Sequence, residues 1–449
     1  MSRPILFNTE LSFAPKVSGG IDKAVYQNET LRAAKAYDDV MRRVAAGELG
    51  FWGLPDRDES ALKVERELVA DLRAHFDHLV VLGIGGSSLG GRTIQSALMT
   101  LEQKKRLTFV DNVDPFEFEQ ILDSLDLAKT AFNIISKSGG TIETASQFVI
   151  IRERLIKAFG KKGYQARVIA TTDPNQGALC DLAKQENLRT LPIPNNVGGR
   201  FSVLTAVGTF PAMFAGVKVE ELLQGATLIR DACADRDIEH NPALKSAFLH
   251  YLADTQCNRP IHVMMPYSSR LWELSLWFVQ LWGESLGKKL KAADGQILSV
   301  GPTPVPALGS TDQHSQLQLF MEGPHDKYVT FIGVADHGAN LPFPQDLPHA
   351  YAYLKGQSMA KLMKAEEQGT TWALANAGRP SQTLTLSEIS PQTLGALFFF
   401  FEAQTAFAGG LYGINAFDQP GVEAGKKIAY GLMGREGYAD AVPNELKNT

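Results

Sequence analysis

Short runs of β-branched and other apolar residues alternate along the chain with longer segments in which apolar residues recur with the helical period. This alternation is typical of βαβ units whose parallel strands are buried on both faces, so the pattern predicts an α/β fold. Five strands are predicted in the first half and four in the second: 79–83, 107–110, 131–136, 166–171 and 190–193, then 261–265, 297–300, 329–334 and 383–386.

Two groups of strands, each interleaved with helical stretches, predict two doubly wound domains rather than one very wide sheet. We expect the first domain over 71–230 and the second, with C-terminal helices, over 231–449. Ahead of them, apolar residues between Leu31 and Val44 recur with helical spacing, which predicts a helical segment over 1–70. Candidate chemistry is expected in the loops that follow strands, because ligands bind there in open parallel sheets.

Composition narrows the class of protein. The 449 residues allow a large core, and a net charge of −5 without a basic block argues against nucleic-acid binding. Three widely spaced cysteines predict neither a disulfide framework nor a metal site. The N-terminus lacks the pattern of a secretory signal, and the most apolar stretch, 261–283, contains Arg270 and Glu273. We therefore expect a cytoplasmic protein without a membrane partner.

The first predicted strand runs into a glycine-rich turn, GIGGSS, that begins at Gly83 and precedes a helix. Backbone amides in such a turn, together with the helix N-terminus, can face an anion. A dinucleotide fingerprint would have glycine where Ser88 stands, but Asp111 follows at about the distance that this fingerprint requires. A phosphomonoester contact, a nucleotide site and a purely structural turn are therefore all open for this loop.

A second loop, SKSGGT, follows the strand predicted over 131–136 and also precedes a helix. It carries Ser136, Lys137, Ser138 and Thr141, so that hydroxyls, exposed amides and the positive end of a helix dipole coincide. The alternative is that Thr141 merely caps the helix. Three hydroxyls within six residues favour an anion site, and the absence of a P-loop pattern favours a sugar phosphate over a nucleoside triphosphate.

The helix predicted over 270–286 carries Gln280 and Glu284 four residues apart, hence on one face. Three apolar side chains lie shortly before Glu284: Trp277, Phe278 and Leu281. We expect them to exclude water from the carboxylate and to raise its pKa toward the range of a general base. The alternative is a solvated carboxylate that pairs with Lys288 or Lys289.

Three further segments carry isolated candidates. Arg200 follows a Gly-Gly pair before a helix and could hold an oxyanion or a phosphate, or could be an ordinary paired arginine. His314 follows a Gly-Ser turn, where a structural role is equally open. Gln419, Glu423 and Lys426 share one face of a helix, where Glu423 and Lys426 could simply form a surface pair.

Six segments, in this order, resemble the glucose-6-phosphate isomerase (phosphoglucose isomerase) family: GIGGSSLG, SKSGGTIET, VGGRFS, QLWGESLGK, TDQHSQLQL and DQPGVEAGK. The resemblance covers about residues 50 to 435. It implies two sugar-isomerase (SIS) domains, which are αβα sandwiches with parallel sheets, and a homodimer. It also implies reversible isomerisation of glucose 6-phosphate to fructose 6-phosphate through a cis-enediol, in glycolysis and gluconeogenesis, without a cofactor.

The resemblance also implies residue roles. Six residues of the first half would bind substrate. The phosphate would be bound by Ser136, Lys137, Ser138 and Thr141, and the sugar side would be lined by Gly86 and Ser87. Glu284 would move a proton between C1 and C2, Gln280 would contact substrate, and Arg200 would stabilise the enediolate. His314, supplied by the neighbouring subunit, and Lys426 would serve ring opening. Gln419 would line the pocket. Family members usually have threonine where Gly140 stands.

Two other functions compete with this interpretation. A sugar-phosphate sensor would keep the phosphate loop but lose the base or the proton relay, whereas Glu284, His314 and Lys426 are all present. An isomerase of the same fold that acts mainly on mannose 6-phosphate or an amino sugar phosphate is the third option. Selectivity at C2 depends on pocket shape, which the sequence does not define.

Overall fold

The computed structural model describes residues 4–291 and 295–447. Its strands in these ranges are β1 Ile5–Asn8, β2 His78–Leu82, β3 Leu107–Val110, β4 Thr130–Ile135, β5 Val168–Thr172, β6 Arg189–Pro192, β7 Ile261–Pro266, β8 Lys288–Lys291, β9 Ile297–Val300, β10 Thr303–Pro306, β11 Lys327–Asp336 and β12 Ser381–Glu388. Its α-helices there are α1 Lys23–Asn28, α2 Thr30–Ala45, α3 Glu59–Arg73, α4 Leu89–Leu98, α5 Leu101–Lys104, α6 Pro115–Ser124, α7 Ile142–Arg167, α8 Ala178–Glu186, α9 Ala206–Phe214, α10 Val219–Cys233, α11 Pro242–Cys257, α12 Trp272–Leu286, α13 Leu317–Glu322, α14 Met359–Asn376, α15 Pro391–Tyr412 and α16 Glu423–Leu432.

The first sheet has five parallel strands in the order β3-β2-β4-β5-β6. All five predicted strands of the first half are present, with ends shifted by at most two residues. The central strand β4 is buried along its whole length, because helices cover both faces of a parallel sheet. The predicted α/β class is confirmed.

The second sheet has the order β1-β12-β11-β7-β10, and its strands are parallel except β1, which runs antiparallel to β12. The prediction that residues 297–300 belong to the main set of strands was wrong, because β9 pairs only with β8 in a separate hairpin. Three of the four β9 residues are exposed, so this segment lacks the burial of a central strand. The edge position is filled by β10, whose two prolines an edge strand tolerates.

The N-terminal segment is not helical throughout. Helices α1, α2 and α3 are present as expected, but the four-residue strand β1 precedes them and extends the second sheet at its β12 edge. Its Ile5 is buried while Leu6 is exposed, the alternation of an edge strand with one covered face. A run of four residues is too short for this period to stand out from a loop.

Helix α15 is the central element of the helical layer and packs against α2, α10, α11 and α12. Close approach to α10 depends on Gly225 and Gly395, each of which lies against the backbone of the other helix. Within the described ranges α15 is the one helix long and apolar enough to cross a membrane, and 94% of its apolar window is buried inside the protein.

Two histidines are buried between α11 and the second sheet. The rings of His250 and His262 lie 4.2 Å apart, centroid to centroid, and the indole of Trp282 on α12 lies 5.4 Å from each. Burial lowers the pKa of His262 from its ordinary 6.5 to about 3 and lowers that of His250 well below its ordinary value. Both imidazoles are therefore neutral in the folded protein at neutral pH.

This pair makes stability depend on pH. Because the folded pKa lies below the unfolded one, stability is complete above about pH 6.5 and falls as the pH is lowered, when only the unfolded chain takes up the protons. Each histidine contributes a slope of up to about 1.4 kcal/mol per pH unit. His262→Gln should reduce the pH dependence of the free energy of unfolding between about pH 5.5 and 4.5, measured with urea. The exposed His75→Gln is the control, and equal slopes for the two variants would contradict the assignment.

Candidate active site

The loops that carry the predicted residues converge at the carboxyl ends of the first sheet. The glycine-rich turn follows β2, the SKSGGT loop follows β4, and the Gly-Gly-Arg segment follows β6. A Cβ placed on Gly86 would lie 2.8 Å from the backbone nitrogen of Arg200, so only glycine lets the first and third loops touch. The parallel topology therefore joins segments that lie far apart in sequence.

Helix α12 brings the second half of the chain to the same place. Gly85, with φ of +60°, lies so close to Gln280 that a Cβ there would be 2.7 Å from the amide nitrogen Nε2. Gln280 in turn donates to the Glu284 carboxylate, Nε2 to Oε1, at 3.2 Å. The predicted pair on one helix face is therefore present and borders the glycine-rich turn.

Glu284 forms an ion pair with Arg200, Nη1 to Oε2, at 3.2 Å. About one third of the Glu284 side chain is exposed, whereas the Arg200 side chain is buried. The expectation that apolar neighbours enclose the carboxylate was wrong. The rings of Trp277 and Phe278 pack instead against Phe398 and Phe401 of α15, and the group that faces Glu284 is a guanidinium.

Arg200 is held by more groups than its carboxylate partner. Its Nε donates to the Ser285 hydroxyl at 2.7 Å and its Nη1 to the Gln419 side-chain carbonyl at 2.9 Å. Its Nη2 donates to the backbone carbonyls of Ala416 and Asp418, at 2.6 and 3.1 Å. Burial lowers the pKa of Arg200, while the Glu284 and Asp418 carboxylates oppose that shift. Arg200 therefore holds helix α12 and the C-terminal segment around residues 416–419 together.

The alternative partner of Glu284, Lys288, is occupied elsewhere. Its Nζ donates to the backbone carbonyls of Glu284, Ser285 and Asp418 at 2.6, 3.0 and 2.9 Å, and so caps the end of α12. Burial lowers the pKa of Lys288, and the charge of Arg200 acts in the same direction. The carboxylate of Glu284 is consequently left to Arg200 and Gln280.

The SKSGGT loop folds around its own hydroxyls. Ser136 donates to the Thr141 hydroxyl at 3.2 Å and accepts from the Gly139 N–H at 3.1 Å, and Gly140 N–H donates to the Ser138 hydroxyl at 3.2 Å. Thr141 stands at the N-cap of α7, but its side chain accepts no backbone hydrogen bond from the first turn. The capping alternative is therefore not what the structure shows, and the first amides of α7 have no side-chain acceptor at the N-cap.

Two more features surround this loop. A Cβ on Gly139 would lie 3.0 Å from the backbone nitrogen of Ala178, so the N-terminus of α8 approaches the loop in addition to that of α7. Lys137 Nζ donates to the carbonyls of Asn195 and Val197 at 2.9 Å each, and burial lowers its pKa. Sequence analysis missed Thr144, in the first turn of α7, whose hydroxyl is buried without a hydrogen-bond partner among the described residues. A buried donor of this kind is the signal of a missing acceptor.

Two predicted residues form no side-chain hydrogen bond or ion pair with the cluster among the described residues. The His314 side chain is exposed and forms none with any of residues 4–291 or 295–447. Lys426 on α16 pairs with Glu423 at 3.1 Å, which is the surface pair considered above. Helix α16 contains no buried residue, but Tyr430 donates to the Gly140 carbonyl at 2.8 Å and so ties this helix to the SKSGGT loop.

The acidic residue that kept a dinucleotide site open has another role. Asp111 Oδ2 accepts from Ser88 at 3.0 Å and from Arg92 at 2.6 Å, and Arg92 also donates to Glu273 at 2.9 Å. Asp111 is thus part of a bridge from the glycine-rich turn to the first turn of α12. Sequence reasoning missed Arg92. The described residues include no cluster of three or more His, Cys, Asp or Glu side chains that could hold a metal ion.

Serine hydroxyls and helix N-termini suit a phosphate group, and a carboxylate paired with a guanidinium suits proton transfer, so this α/β fold and its site fit the class of phosphosugar isomerases. Residues 71–437 match the family described as phosphoglucose isomerase, and the chain belongs to that family. The glucose-6-phosphate isomerases of Rubrobacter xylanophilus and Carboxydothermus hydrogenoformans are 44% and 42% identical to it, covering 88% and 89% of this chain and 93% and 88% of their own.

Solved structures agree with this membership. A hypothetical protein from Thermus thermophilus superposes with a TM-score of 0.86 at 36% identity, over 96% of this chain and 99% of its own. A glucose-6-phosphate isomerase from Chlamydia trachomatis gives a TM-score of 0.72 at 27% identity, over 87% of this chain and 75% of its own. The predicted family is therefore confirmed.

Adjacent glycines of the SKSGGT loop provide a matched test. Gly139 has φ of +67° and lies against the backbone of α8, so Gly139→Ala should strain the loop by about 1–2 kcal/mol and weaken phosphate binding at least about tenfold. Gly140→Ala meets nothing nearer than the Ser138 hydroxyl at 3.8 Å and should bind phosphate like the parent chain. Calorimetric titration with inorganic phosphate measures both, and equal losses in the two variants would contradict the geometry.

Proposed function

We propose that this chain catalyses the reversible isomerisation of glucose 6-phosphate to fructose 6-phosphate through a cis-enediol intermediate. Membership of the phosphoglucose isomerase family supports this. The single observation that carries the mechanism is the 3.2 Å pair between the Glu284 carboxylate and the Arg200 guanidinium at the carboxyl ends of the strands. A sugar-phosphate sensor has no use for such a pair, because binding alone requires no base.

Each member of the pair has one task in the reaction. Glu284 removes the proton from C2 of the open-chain aldose and returns it to C1, on the same face of the sugar. The negative charge that develops on the oxygen is stabilised by Arg200, which is already oriented by Ser285 and Gln419. Aldose and ketose have the same oxidation level, so the proton transfer is redox neutral and consumes no hydride donor.

The SKSGGT loop anchors the phosphate. Ser136, Ser138 and Thr141 supply hydroxyls, and the positive ends of α7 and α8 both face the loop. Lys137 adds a positive charge, and the unpartnered hydroxyl of Thr144 is a further donor. Gly86 and Ser87 line the sugar side. Binding energy at the phosphate then orients carbons that lie several bonds away, which raises the rate without touching them.

Ring opening requires a second subunit in this proposal. The His314 side chain is exposed, and Leu319, which follows it in α13, leaves 53% of its surface exposed. A homodimer in which His314 enters the partner's site would cover this region. Lys426, and Gln419 beside Arg200, would complete the pocket. We further propose a cytoplasmic enzyme with domains over 71–230 and 231–449.

Replacement of the base tests the mechanism. Glu284→Gln keeps the side-chain size and the hydrogen bond from Gln280, so phosphate binding should be preserved while kcat falls at least about 10²-fold. Exchange of the substrate C2 proton with solvent deuterium, followed by NMR, should stop in parallel. Glu102→Gln, a carboxylate-to-amide change on exposed α5, is the control for loss of one negative charge. Near-normal exchange in Glu284→Gln would refute the role of this carboxylate.

Subunit mixing tests the shared histidine. When Glu284→Gln and His314→Gln homodimers exchange subunits at equal concentration, half of the dimers are mixed and each regains one complete site, so about a quarter of the full activity should return.

A control experiment makes the geometry explicit. A chain that carries both Glu284→Gln and His314→Gln, mixed with the unsubstituted chain, should inactivate both sites of every mixed dimer. Activity should therefore fall by half as exchange proceeds. If His314 acts within its own subunit, activity stays constant in this control and no activity returns in the first mixture. Mass spectrometry of intact dimers verifies the exchange.

A further inference from the structure

Three basic residues occupy equivalent positions at the amino ends of three strands of the second sheet. Arg259, His325 and Arg379 each lie two residues before the first residue of a strand, β7, β11 and β12 respectively. These strands are parallel neighbours in the sheet, so their amino ends lie side by side. The cluster is therefore separated by the length of the strands from the carboxyl edge, where ligands of parallel sheets usually bind.

Both arginines are buried, with 5% of Arg259 and 6% of Arg379 exposed, and several of their N–H groups have no partner. Nε of Arg259 and both Nε and Nη1 of Arg379 are buried without a hydrogen bond among the described residues. Backbone carbonyls accept from the other nitrogens: Cys257 from Arg259 at 3.2 Å, and Met321 and Gly323 from Arg379 at 2.6 and 2.8 Å. The Cys257 thiol, whose pKa burial raises, also interacts with Arg259.

No carboxylate within residues 4–291 and 295–447 forms an ion pair with either guanidinium. Asp326, the acid adjacent to His325 in sequence, is paired with Lys327. Burial lowers the pKa of Arg259, and the charge of Arg379 adds to that effect. Burial also lowers the pKa of His325, and the charges of both arginines act in the same direction. Buried charges of one sign without a counterion are costly, and an anion between them would remove that cost.

The N-terminal loop that contains Ser18 and Gly19 lies over the cluster, and two of its hydrogen-bond donors have no partner among the described residues. A Cβ on Gly19 would lie 2.5 Å from Nη2 of Arg259, and a Cβ on Gly378 would lie 2.6 Å from the Ser18 hydroxyl. Gly378 has φ of +72°, so glycine is required there on both counts. The Ser18 hydroxyl and the Gly19 N–H make no hydrogen bond within the described part of the chain, and Ser18 and His325 are exposed. The cluster therefore opens to solvent between these two residues.

We propose that Arg259, Arg379, His325 and the Ser18-Gly19 turn form a second anion site, which binds a phosphoryl group. Two guanidinium forks match the geometry of a tetrahedral dianion, and the free hydroxyl and amide add neutral donors. The site lies outside the catalytic cluster and takes part in no proton transfer. Its ligand is either free phosphate or a phosphate monoester, which present the same chemistry to these groups.

Phosphate titration in a loop variant tests the site. The double substitution Ser138→Ala/Thr141→Ala should weaken phosphate binding at the SKSGGT loop. Calorimetric titration of this variant with inorganic phosphate should still detect one class of binding site, the second site, which the parent chain also has. Adding Arg379→Gln to this variant should weaken that remaining class at least about tenfold and abolish the phosphate-dependent rise in Tm. Unchanged titration and Tm curves after addition of Arg379→Gln would overturn the proposal. Neither result depends on catalysis, so it is distinguishable from a failure of the proposed isomerase mechanism.

Two more variants guard against loss of folding and against a general charge effect. His325→Gln changes an exposed side chain at the mouth of the cluster and should weaken phosphate binding severalfold with the fold intact. Arg152→Gln removes a guanidinium that is paired with the Glu186 carboxylate and should leave phosphate binding unchanged. Equal losses in Arg152→Gln and Arg379→Gln would overturn the proposal. Methyl phosphate separates the two sources, because a monoester site retains affinity for it and a free-phosphate site does not.

Discussion

The buried guanidinium of Arg200 is the point on which the geometry of the proposed catalytic cluster depends. Its nitrogen atoms contact helix α12 through Glu284 and Ser285 and the C-terminal segment through Gln419 and the carbonyl of Asp418. A hydrogen bond to a charged group contributes about 1.5–3 kcal/mol, so these contacts offset part of the cost of burying the cation, although burial still lowers the pKa of Arg200. The same charge that joins the segments is then in place to stabilise an oxyanion without reorganisation.

Glycine backbones make this arrangement possible. At Gly86 and at Gly139, loops approach a neighbouring backbone so closely that no side chain fits between them. In the proposed function these close contacts let main-chain N–H groups, rather than long side chains, line the sugar-phosphate site. Backbone amides donate hydrogen bonds without the entropic cost of ordering a long side chain, so close packing of the loops would favour binding.

Most of the fold was predictable because buried parallel strands have a strong apolar signature, as in β4 and β11. Strands that depend on pairing rather than burial were not: β1 is four residues long, and β10 contains two prolines. Within the site, the four-residue spacing of Gln280 and Glu284 correctly placed both on one helix face. The environment of Glu284 was mispredicted, because its partner Arg200 lies 84 residues away and no local pattern encodes that contact. The bridge through Arg92 was missed for the same reason.

The cluster around Arg200 and the proposed second anion site differ in how their buried cations are balanced. In the first cluster Arg200 and Lys288 have acidic and carbonyl partners, and both contact Asp418. An anion that enters there must compete with Glu284 for the guanidinium, which suits a site where charge appears only during the reaction. At the amino edge the guanidinium groups of Arg259 and Arg379 lack acidic partners among the described residues, and such unopposed charge suits a ligand that carries its negative charge in the ground state.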